Sequence, residues 1–412
     1  MRTLFGNRSF IFVWLSQGAS GLGQTFSTFI ISWLVYELTG SKLAMGGIWL
    51  SFMIPSIAVQ LVVGPFLDRW NRRQAMIFSK WVRAAFFTVP AVLYPLGLLD
   101  VWHLYLVAII SGSVEPLYGP SRMAFVAEIL PPQQLMKGNS ILEGTGQMLM
   151  LAGPALGGLM VTFIGAGTVL FSMIFFLALA GLLLCFIPGG DCHPKQRESW
   201  FSQFREGLLF FRCYPVLFWV GMILMITNFS SGAAQPMFLP FILEDLQGTA
   251  LQYGLFSSGF SAGMLLGSVV TGIISEPKDR RSVMLWSLFI SGLLLGSLGM
   301  LQVFILALAA TVGNGFFALV FTINNTTFYQ RRVPESLRGR VFAVRILLAQ
   351  AGMPLGAAAG SIFAEFLGIR MLFLVLGAIS TLVPALALLS PVFHQLNDAP
   401  PEHLELGPGI HK

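Results

Sequence analysis

One acidic side chain, Glu115, lies near the middle of a long apolar segment, where a charged group is costly. An ionisable residue inside the hydrocarbon of a membrane costs at least about 2.5 to 3.5 kcal/mol on insertion scales. A residue kept there needs a partner or a function, and a carboxyl group can take up and release a proton. Glu115 is therefore the candidate for proton coupling. A fixed ion pair with a buried arginine is the alternative.

Further polar side chains fall inside other apolar segments. Arg83, Arg122 and Glu143 lie at similar depths, where a lone charge is costly, so we expect a buried cluster with a structural or gating role. Neutral polar residues near the midplane either line a cavity or form hydrogen bonds between helices. The candidates for the substrate cavity are Gln24, Glu115, Asn228 and Asn314.

The composition excludes a soluble protein. Of the 412 residues, 55% are hydrophobic and only 10% are charged, with a mean hydropathy of +0.77, whereas soluble domains have about 25% charged residues. A membrane helix needs about 20 apolar residues. The apolar segments predict an all-α membrane protein with twelve transmembrane helices, at 10–36, 43–66, 74–97, 102–127, 140–163, 167–187, 216–241, 252–275, 283–300, 303–328, 341–366 and 370–389.

The basic residues predict the orientation in the membrane. Of the 24 lysines and arginines, all except Lys42 and Arg370 fall towards one side, and loops on the cytoplasmic side are rich in these residues. Arg83, Arg122 and Arg345 are among the 22 but lie within helices, and the asymmetry holds without them. Both termini are then cytoplasmic, in a multi-pass protein of the bacterial inner membrane. Because the positive charges lie in short loops between apolar segments, the net charge of +6 does not indicate nucleic-acid binding.

No motif for covalent, redox or metal chemistry occurs in the sequence. Asp191, Cys192 and His193 are consecutive and lack the spacing of metal ligands. There is no phosphate-binding loop, zinc-protease motif or nucleophile elbow. We therefore expect no enzyme activity, no metal and no cofactor.

An internal repeat organises the chain. The spacing of one loop motif recurs 208 residues later, in Gly64, Asp68, Arg72, Arg73 and in Gly272, Glu276, Arg280, Arg281. Two six-helix halves related by parallel repetition are typical of one large class of transporters. We predict an N-terminal half at 1–188, a cytoplasmic linker with an interfacial helix at 189–215, a C-terminal half at 216–390 and a cytoplasmic tail at 391–412.

Two motifs carry a resemblance to a known family. Gly64-Pro-Phe-Leu-Asp68-Arg-Trp-Asn-Arg72-Arg73 resembles the loop signature of the major facilitator superfamily, with Asn71 where a glycine is common. The stretch Gly153-Pro154-Ala-Leu-Gly157-Gly158 resembles the end of the fifth-helix motif of exporters, although Ser140 and Leu149 replace the upstream glycines. The resemblance covers nearly the whole chain. It implies two six-helix pseudo-repeats that act by alternating access, usually as a monomer.

The resemblance also implies roles for the loop residues. Asp68 and Arg72, with Glu128, resemble a latch that holds one state of the transport cycle, and Arg73 belongs to the same gating motif. Glycines in the fifth helix would let helices approach closely and slide.

Shorter stretches resemble two branches of the superfamily. Residues 204–212 and 135–140 resemble the branch with macrolide efflux proteins and the enterobactin exporter. This implies a proton-coupled exporter of amphiphilic drugs, macrolides or siderophores, with protons and membrane lipid as further partners. Residues 118–122 and 139–143 resemble lysophospholipid transporters, which implies a flippase or importer instead. A non-transporting scaffold or sensor on the same fold is a third hypothesis.

Overall fold

Twelve long helices follow one another in the computed structural model, which describes residues 6–67, 70–188, 208–211, 214–274, 277 and 279–397. The first six, α1 to α6, are Arg8–Thr39, Lys42–Leu67, Arg72–Leu93, Val101–Ile129, Pro132–Ile164 and Ala166–Cys185. The last six, α7 to α12, are Pro215–Ala234, Ala250–Ile273, Arg280–Ser297, Phe304–Arg332, Glu335–Leu367 and Ile369–Leu389. No strand occurs in these ranges, so the predicted all-α architecture is confirmed.

Nine of these helices in the described ranges are long and apolar enough to cross a membrane. The other three, α1, α4 and α9, are more polar. Helix α1 buries serines, including Ser16 and Ser27, α4 carries Glu115, and α9 begins with Arg280 and Arg281. Polar side chains in such helices face protein partners and not lipid, which lowers hydropathy without preventing a span.

The helices pack into two compact units, one within Met1–Lys195 and Phe238–Ser258 and the other within Gln196–Met237 and Gly259–Lys412. In the first unit, α1 packs on α5 and α6, and α3 packs on α4 and α6. In the second unit, α7 packs on α11 and α12, and α9 packs on α10 and α12. The pairing is the same in both units, as the repeat in the sequence predicts. The domain boundaries at 188 and 216 stay predictions.

Two glycines occupy equivalent crossings in the two units. A Cβ atom added at Gly112 of α4 would lie 2.1 Å from the carbonyl oxygen of Phe52 in α2. One added at Gly315 of α10 would lie 2.1 Å from the carbonyl oxygen of Phe260 in α8. Phe52 and Phe260 are 208 residues apart, the spacing of the loop motif. Glycine is therefore needed at the same crossing in each repeat, because only it lets the two backbones approach this closely.

Several helix ends differ from the apolar segments. Helices α5 and α11 begin at Pro132 and Glu335, before the predicted starts at 140 and 341, because polar turns continue a helix beyond its apolar part. Helix α7 ends at Ala234, and the chain after it forms the 3-10 turn Gln235–Met237 and then the π-helical turn Phe241–Asp245. The predicted interfacial helix lies mostly outside the described residues. Within it, 208–211 is helical, and Phe210 and Phe211 are buried in the second unit.

The carboxylate of Asp279 fixes the start of α9. It accepts hydrogen bonds from the Ser282 hydroxyl at 2.5 Å and backbone N–H at 3.0 Å, and from the Asn397 side-chain amide at 2.8 Å. These bonds favour the ionised form and hold the pKa of Asp279 below its usual range. Asp279 thus caps α9 and ties it to the segment after the turn Pro391–Leu396.

Replacing Gly315 by alanine should destabilise the protein by about 1–3 kcal/mol, because the added methyl group meets the Phe260 carbonyl in a packed crossing. Thermal unfolding in detergent measures the change. The matched control is Gly119→Ala in α4, where a Cβ atom meets open space. An equal midpoint for both variants would contradict the close crossing.

Replacing Asp279 by alanine should lower stability by about 0.5–2 kcal/mol at pH 7, the usual effect of losing an N-cap. The pKa of Asp279 is lower in the folded protein than in the unfolded chain, so its ionised carboxylate stabilises the fold. This stabilisation is fully present above the unfolded pKa of about 3.9 and is lost as the pH falls through the folded pKa. The difference between the variant and the unsubstituted protein should therefore shrink at acid pH. Unfolding midpoints measured from pH 7 to pH 3 test this, and a constant difference would refute it.

Candidate functional site

Helix α3 directs two cations into the first unit. Its buried face includes Met76, Lys80, Arg83 and Phe87, which recur at intervals of three and four residues. That spacing places all four side chains on one side of an α-helix. Lys80 and Arg83 are 1% and 0% exposed. The packing of α3 on α4 and α6 therefore brings both positive charges into the interior.

Arg83 joins three helices through one nitrogen atom. Its Nη1 donates to Gln24 Oε1 on α1 and lies 2.5 Å from Glu115 Oε2 on α4. The Glu115 side chain is 30% exposed, whereas its partner is fully buried. Arg83 Nε and Nη2 have no hydrogen-bond acceptor in the described part of the chain. Glu115 is thus the accessible member of a buried ion pair, and its predicted role in proton coupling stays a prediction.

Lys80 is a site residue that the sequence reasoning missed. Its Nζ lies 3.5 Å from the centre of the Tyr118 ring, a cation–π contact. The Tyr118 hydroxyl donates to Gln17 Oε1 at 3.0 Å. The spacing of three residues between Lys80 and Arg83 is the signal that places both on one helix face.

A pocket opens beside Gln24 within the first unit. Helices α1 and α4 contribute mostly polar side chains to its lining, and α2 contributes large apolar ones. The lining residues are Gln24, Ser27, Thr28, Ile31, Ser32, Ile48, Trp49, Phe52, Ala108 and Ser111. A mainly apolar wall with a few polar groups suits an amphiphilic molecule. Gln24 lines this pocket, and its role in a substrate cavity stays a prediction.

The other predicted charges form separate pairs. Arg122 Nη2 lies 2.7 Å from Glu143 Oε1, which links α4 to α5. Arg72 Nη1 pairs with Glu128 Oε1 and so links α3 to α4. The expected cluster of Arg83, Arg122 and Glu143 is therefore divided, because Arg83 takes Glu115 as its partner.

Arg73 closes the end of α6. Its Nε donates to the carbonyl oxygen of Leu184 at 2.9 Å, and its Nη2 donates to that of Cys185 at 2.6 Å. A cation at a helix C-terminus satisfies free carbonyl groups and favours the helix dipole. Asp68, the predicted latch residue, lies outside the described residues.

The glycines of α5 make close contacts in the first unit. Cβ atoms added at Gly153 and Gly157 would lie 2.2 Å from Thr25 Oγ1 and 3.2 Å from the Phe29 ring. One added at Gly158 would lie 2.4 Å from the carbonyl oxygen of Ala250. The carbonyl oxygen of Pro154 would in turn lie 2.3 Å from a Cβ atom at Gly254. The Gly-Pro stretch thus lets α5 pack closely on α1 and on the start of α8.

Both predicted asparagines form hydrogen bonds inside the second unit. Asn228 Nδ2 of α7 donates to the carbonyl oxygen of Ala349 in α11 at 2.9 Å. Asn314 Nδ2 of α10 donates to the carbonyl oxygen and the hydroxyl of Ser291 in α9, at 2.8 and 3.0 Å. Ser291 follows Arg83 by 208 residues, so the second unit has a neutral side chain where the first unit has the arginine of its ion pair.

Residues at the junction of α1 and α2 make contacts that the sequence did not predict. Glu244 accepts a hydrogen bond from Tyr36 and lies 3.2 Å from Lys42 Nζ. The Tyr94 hydroxyl donates to Glu37 at 3.1 Å. The Glu244 contacts tie the π-helical turn to the end of α1 and the start of α2, and the Tyr94 contact ties the end of α3 to α1.

Comparisons with known proteins agree with this architecture. A family model described as transmembrane secretion effector matches residues 3–405. Macrolide efflux protein A of Streptococcus pyogenes is 22% identical over 396 residues, which cover 94% of this chain and 96% of that protein. The multidrug efflux pump Tap of Mycolicibacterium fortuitum is 26% identical over 387 residues, which cover 89% and 93%. A solved bacterial homologue of the iron transporter ferroportin has a TM-score of 0.73 at 16% identity, covering 95% and 99%.

Replacing Arg83 by glutamine should destabilise the protein by about 3–5 kcal/mol, because the Glu115 charge then lies in the interior without its cation. Thermal unfolding in detergent measures this. Arg72→Gln is the control, since its pair with Glu128 is about one third exposed on both sides and should contribute at most about 1 kcal/mol.

The double variant Arg83→Gln with Glu115→Gln isolates the charge. It should regain much of the stability lost in Arg83→Gln, because two neutral side chains replace an isolated carboxylate. No recovery would mean that Arg83 acts through packing and not through its pair with Glu115.

Proposed function

Since the chain belongs to the transmembrane secretion effector family of the major facilitator superfamily, and so is a transporter and not an enzyme, we propose that it exports amphiphilic small molecules in exchange for protons. Drugs, macrolides and siderophores are the substrate classes that the proposal includes. Macrolide and multidrug efflux by the two relatives supports export. Alternating access would move the substrate past one site.

The proposal rests on a pocket whose lining residue Gln24 contacts the Arg83–Glu115 ion pair. Gln24 lines the pocket and accepts a hydrogen bond from Arg83, which also pairs with Glu115. Trp49 and Phe52 offer the apolar area that an amphiphile buries on binding. A substrate that binds Gln24 would compete for the hydrogen bond from Arg83, and Arg83 also pairs with Glu115. Substrate binding and the protonation of Glu115 would be coupled in this way.

The proposed orientation places both termini in the cytoplasm of a bacterial cell. It rests on the lysines and arginines, of which Lys42 and Arg370 are the two on the opposite side. Export then means movement towards the side that holds Lys42. Glu115 would exchange protons with both sides in turn as the site opens to each.

Replacing Glu115 by glutamine should abolish substrate accumulation driven by a pH gradient, because glutamine has the shape of the carboxyl group but cannot ionise. The measurement is uptake of macrolides, cationic dyes and catecholate siderophores into proteoliposomes with an imposed pH gradient. We expect rates equal to those of empty liposomes, a loss of at least tenfold.

The matched control is Glu143→Gln, which neutralises a carboxylate that is two thirds exposed. It should retain most of the accumulation. Full activity and unchanged pH dependence in Glu115→Gln would refute coupling at Glu115. No flux of any compound through the unsubstituted protein would instead favour a scaffold or sensor.

A second candidate function has one observation in its favour. The two stretches that resemble lysophospholipid transporters, 118–122 and 139–143, meet in the Arg122–Glu143 ion pair. A lysophospholipid flippase would use this surface between α4 and α5. Lysophospholipids added to the same proteoliposome panel separate the two: movement of these lipids alone, graded with headgroup, would favour the flippase.

A further inference from the structure

Arg345 in α11 is a buried cation of the second unit, and no carboxylate of the described residues lies within 4 Å of it. It is 8% exposed, and its guanidinium group lies 4.6 Å from the centre of the Tyr329 ring and 5.3 Å from that of Phe342. Its Nη2 donates to the Thr326 hydroxyl at 3.3 Å, and Nε has no acceptor in the part of the chain that the structure describes. Two rings and one hydroxyl group offset only part of the cost of burying a charge.

The internal repeat shows that packing does not require a charge at this position. Helix α4 ends and α5 begins 203 residues before α10 ends and α11 begins, so Arg345 is equivalent to Leu142. Leu142 is 1% exposed and lies in an apolar core with Phe10 and Leu130. A leucine therefore fills the same position in the first unit. The arginine of the second unit has a costly charge that its packing does not explain.

The segment that contains Arg345 also has a large excess of positive charge. Residues 331–345 include five arginines and one glutamate, a net charge of +4. In the equivalent residues 128–142 the charged residues are Glu128 and Lys137, and the net charge is zero. Both segments lie on the side proposed to be cytoplasmic, so the preference of cytoplasmic loops for basic residues does not account for the difference.

The position of Arg345 along α11 matches the depth of lipid headgroups. The apolar part of α11 is Arg340–Leu367. Five residues at 1.5 Å each place Arg345 about 7.5 Å from its start, and groups at the boundary between headgroups and acyl chains lie about 5–10 Å deep. The next residue, Ile346, is 44% exposed, as a side chain in contact with lipid would be. Arg345 thus lies beside the lipid-facing surface.

We propose that the end of α10 and the start of α11 bind an anionic phospholipid of the inner leaflet, and that Arg345 donates hydrogen bonds to its phosphate group. A guanidinium group binds phosphate oxygens through two parallel N–H donors. The arginines of 331–345 attract an anionic headgroup, as basic clusters at the cytoplasmic ends of membrane helices do. The inference goes beyond the proposed export and uses only the proposed orientation, which places this surface in the inner leaflet.

The test is thermal unfolding of the full-length chain, purified free of lipid in a non-ionic detergent and titrated with three probes. These are dioleoylphosphatidylglycerol, dioleoylphosphatidylcholine and inorganic phosphate. A ligand that binds the folded state raises the unfolding midpoint. We expect phosphatidylglycerol to raise it at a concentration at least tenfold lower than phosphatidylcholine does, and added salt to weaken this preference by screening. An equal response to both lipids, or a full response to phosphate alone, would overturn the proposal.

Substitutions locate the phosphate contact. Arg345→Leu introduces the residue of the first unit, so we expect a folded protein whose midpoint responds equally to the two lipids. Arg345→Lys keeps the charge but not the paired donors, and it should need a severalfold higher concentration of phosphatidylglycerol. The matched control is Lys137→Gln, an exposed basic residue in the equivalent segment of the first unit, which should respond as the unsubstituted chain does. An undiminished preference for phosphatidylglycerol in Arg345→Leu would refute the contact.

Native mass spectrometry of the unsubstituted chain provides a measurement that needs no variant. From an equimolar mixture of the two lipids, the protein should retain phosphatidylglycerol in at least tenfold excess over phosphatidylcholine. Equal retention would contradict the site. None of these measurements uses transport, so their outcome is independent of whether the chain exports amphiphiles.

Discussion

The guanidinium group of Arg83 is the constraint on which the first unit depends. A cation that is fully buried at membrane depth is tolerated only where charged and polar partners surround it. Arg83 obtains them from two helices, Gln24 on α1 and Glu115 on α4. These contacts fix the rotation of α1, α3 and α4 about their axes. They also hold Gln24 at the pocket wall, so the pocket and the buried ion pair share one side chain.

Close helix crossings provide the frame for these contacts. Without a hydrophobic force between helices in lipid, association depends on close packing and on hydrogen bonds between helices. Gly112 and Gly315 let α4 and α10 reach the backbones of α2 and α8, and the two crossings are equivalent in the repeat. The repeat is therefore preserved in backbone packing. Its two copies have diverged in the side chains that the packed backbone presents.

Because of that divergence, the two units differ in their buried charged residues. At the position equivalent to Arg83 the second unit has Ser291, which accepts hydrogen bonds from Asn314. A buried cation of the second unit, Arg345, contacts the rings of Tyr329 and Phe342 and the Thr326 hydroxyl. The ion pair between the buried Arg83 and the partly exposed Glu115 belongs to the first unit. Over the described residues, the two units thus share their helix packing but differ in whether their interior contains an ion pair.

The sequence by itself determined the class of protein, the number of helices and the repeat. Hydropathy and loop spacing are read along the chain, and they do not depend on which helices contact each other. It also identified Glu115 and Arg83, since ionisable residues in apolar segments are rare. Only the tertiary structure shows that these two residues pair with each other and that Arg122 pairs with Glu143 instead. It also shows that Lys80 is buried beside them. Which faces of α1, α3 and α4 turn towards each other depends on packing between helices that are distant in sequence. The glycine crossings and the Arg83 contacts set those rotations, and hydropathy has no information on them.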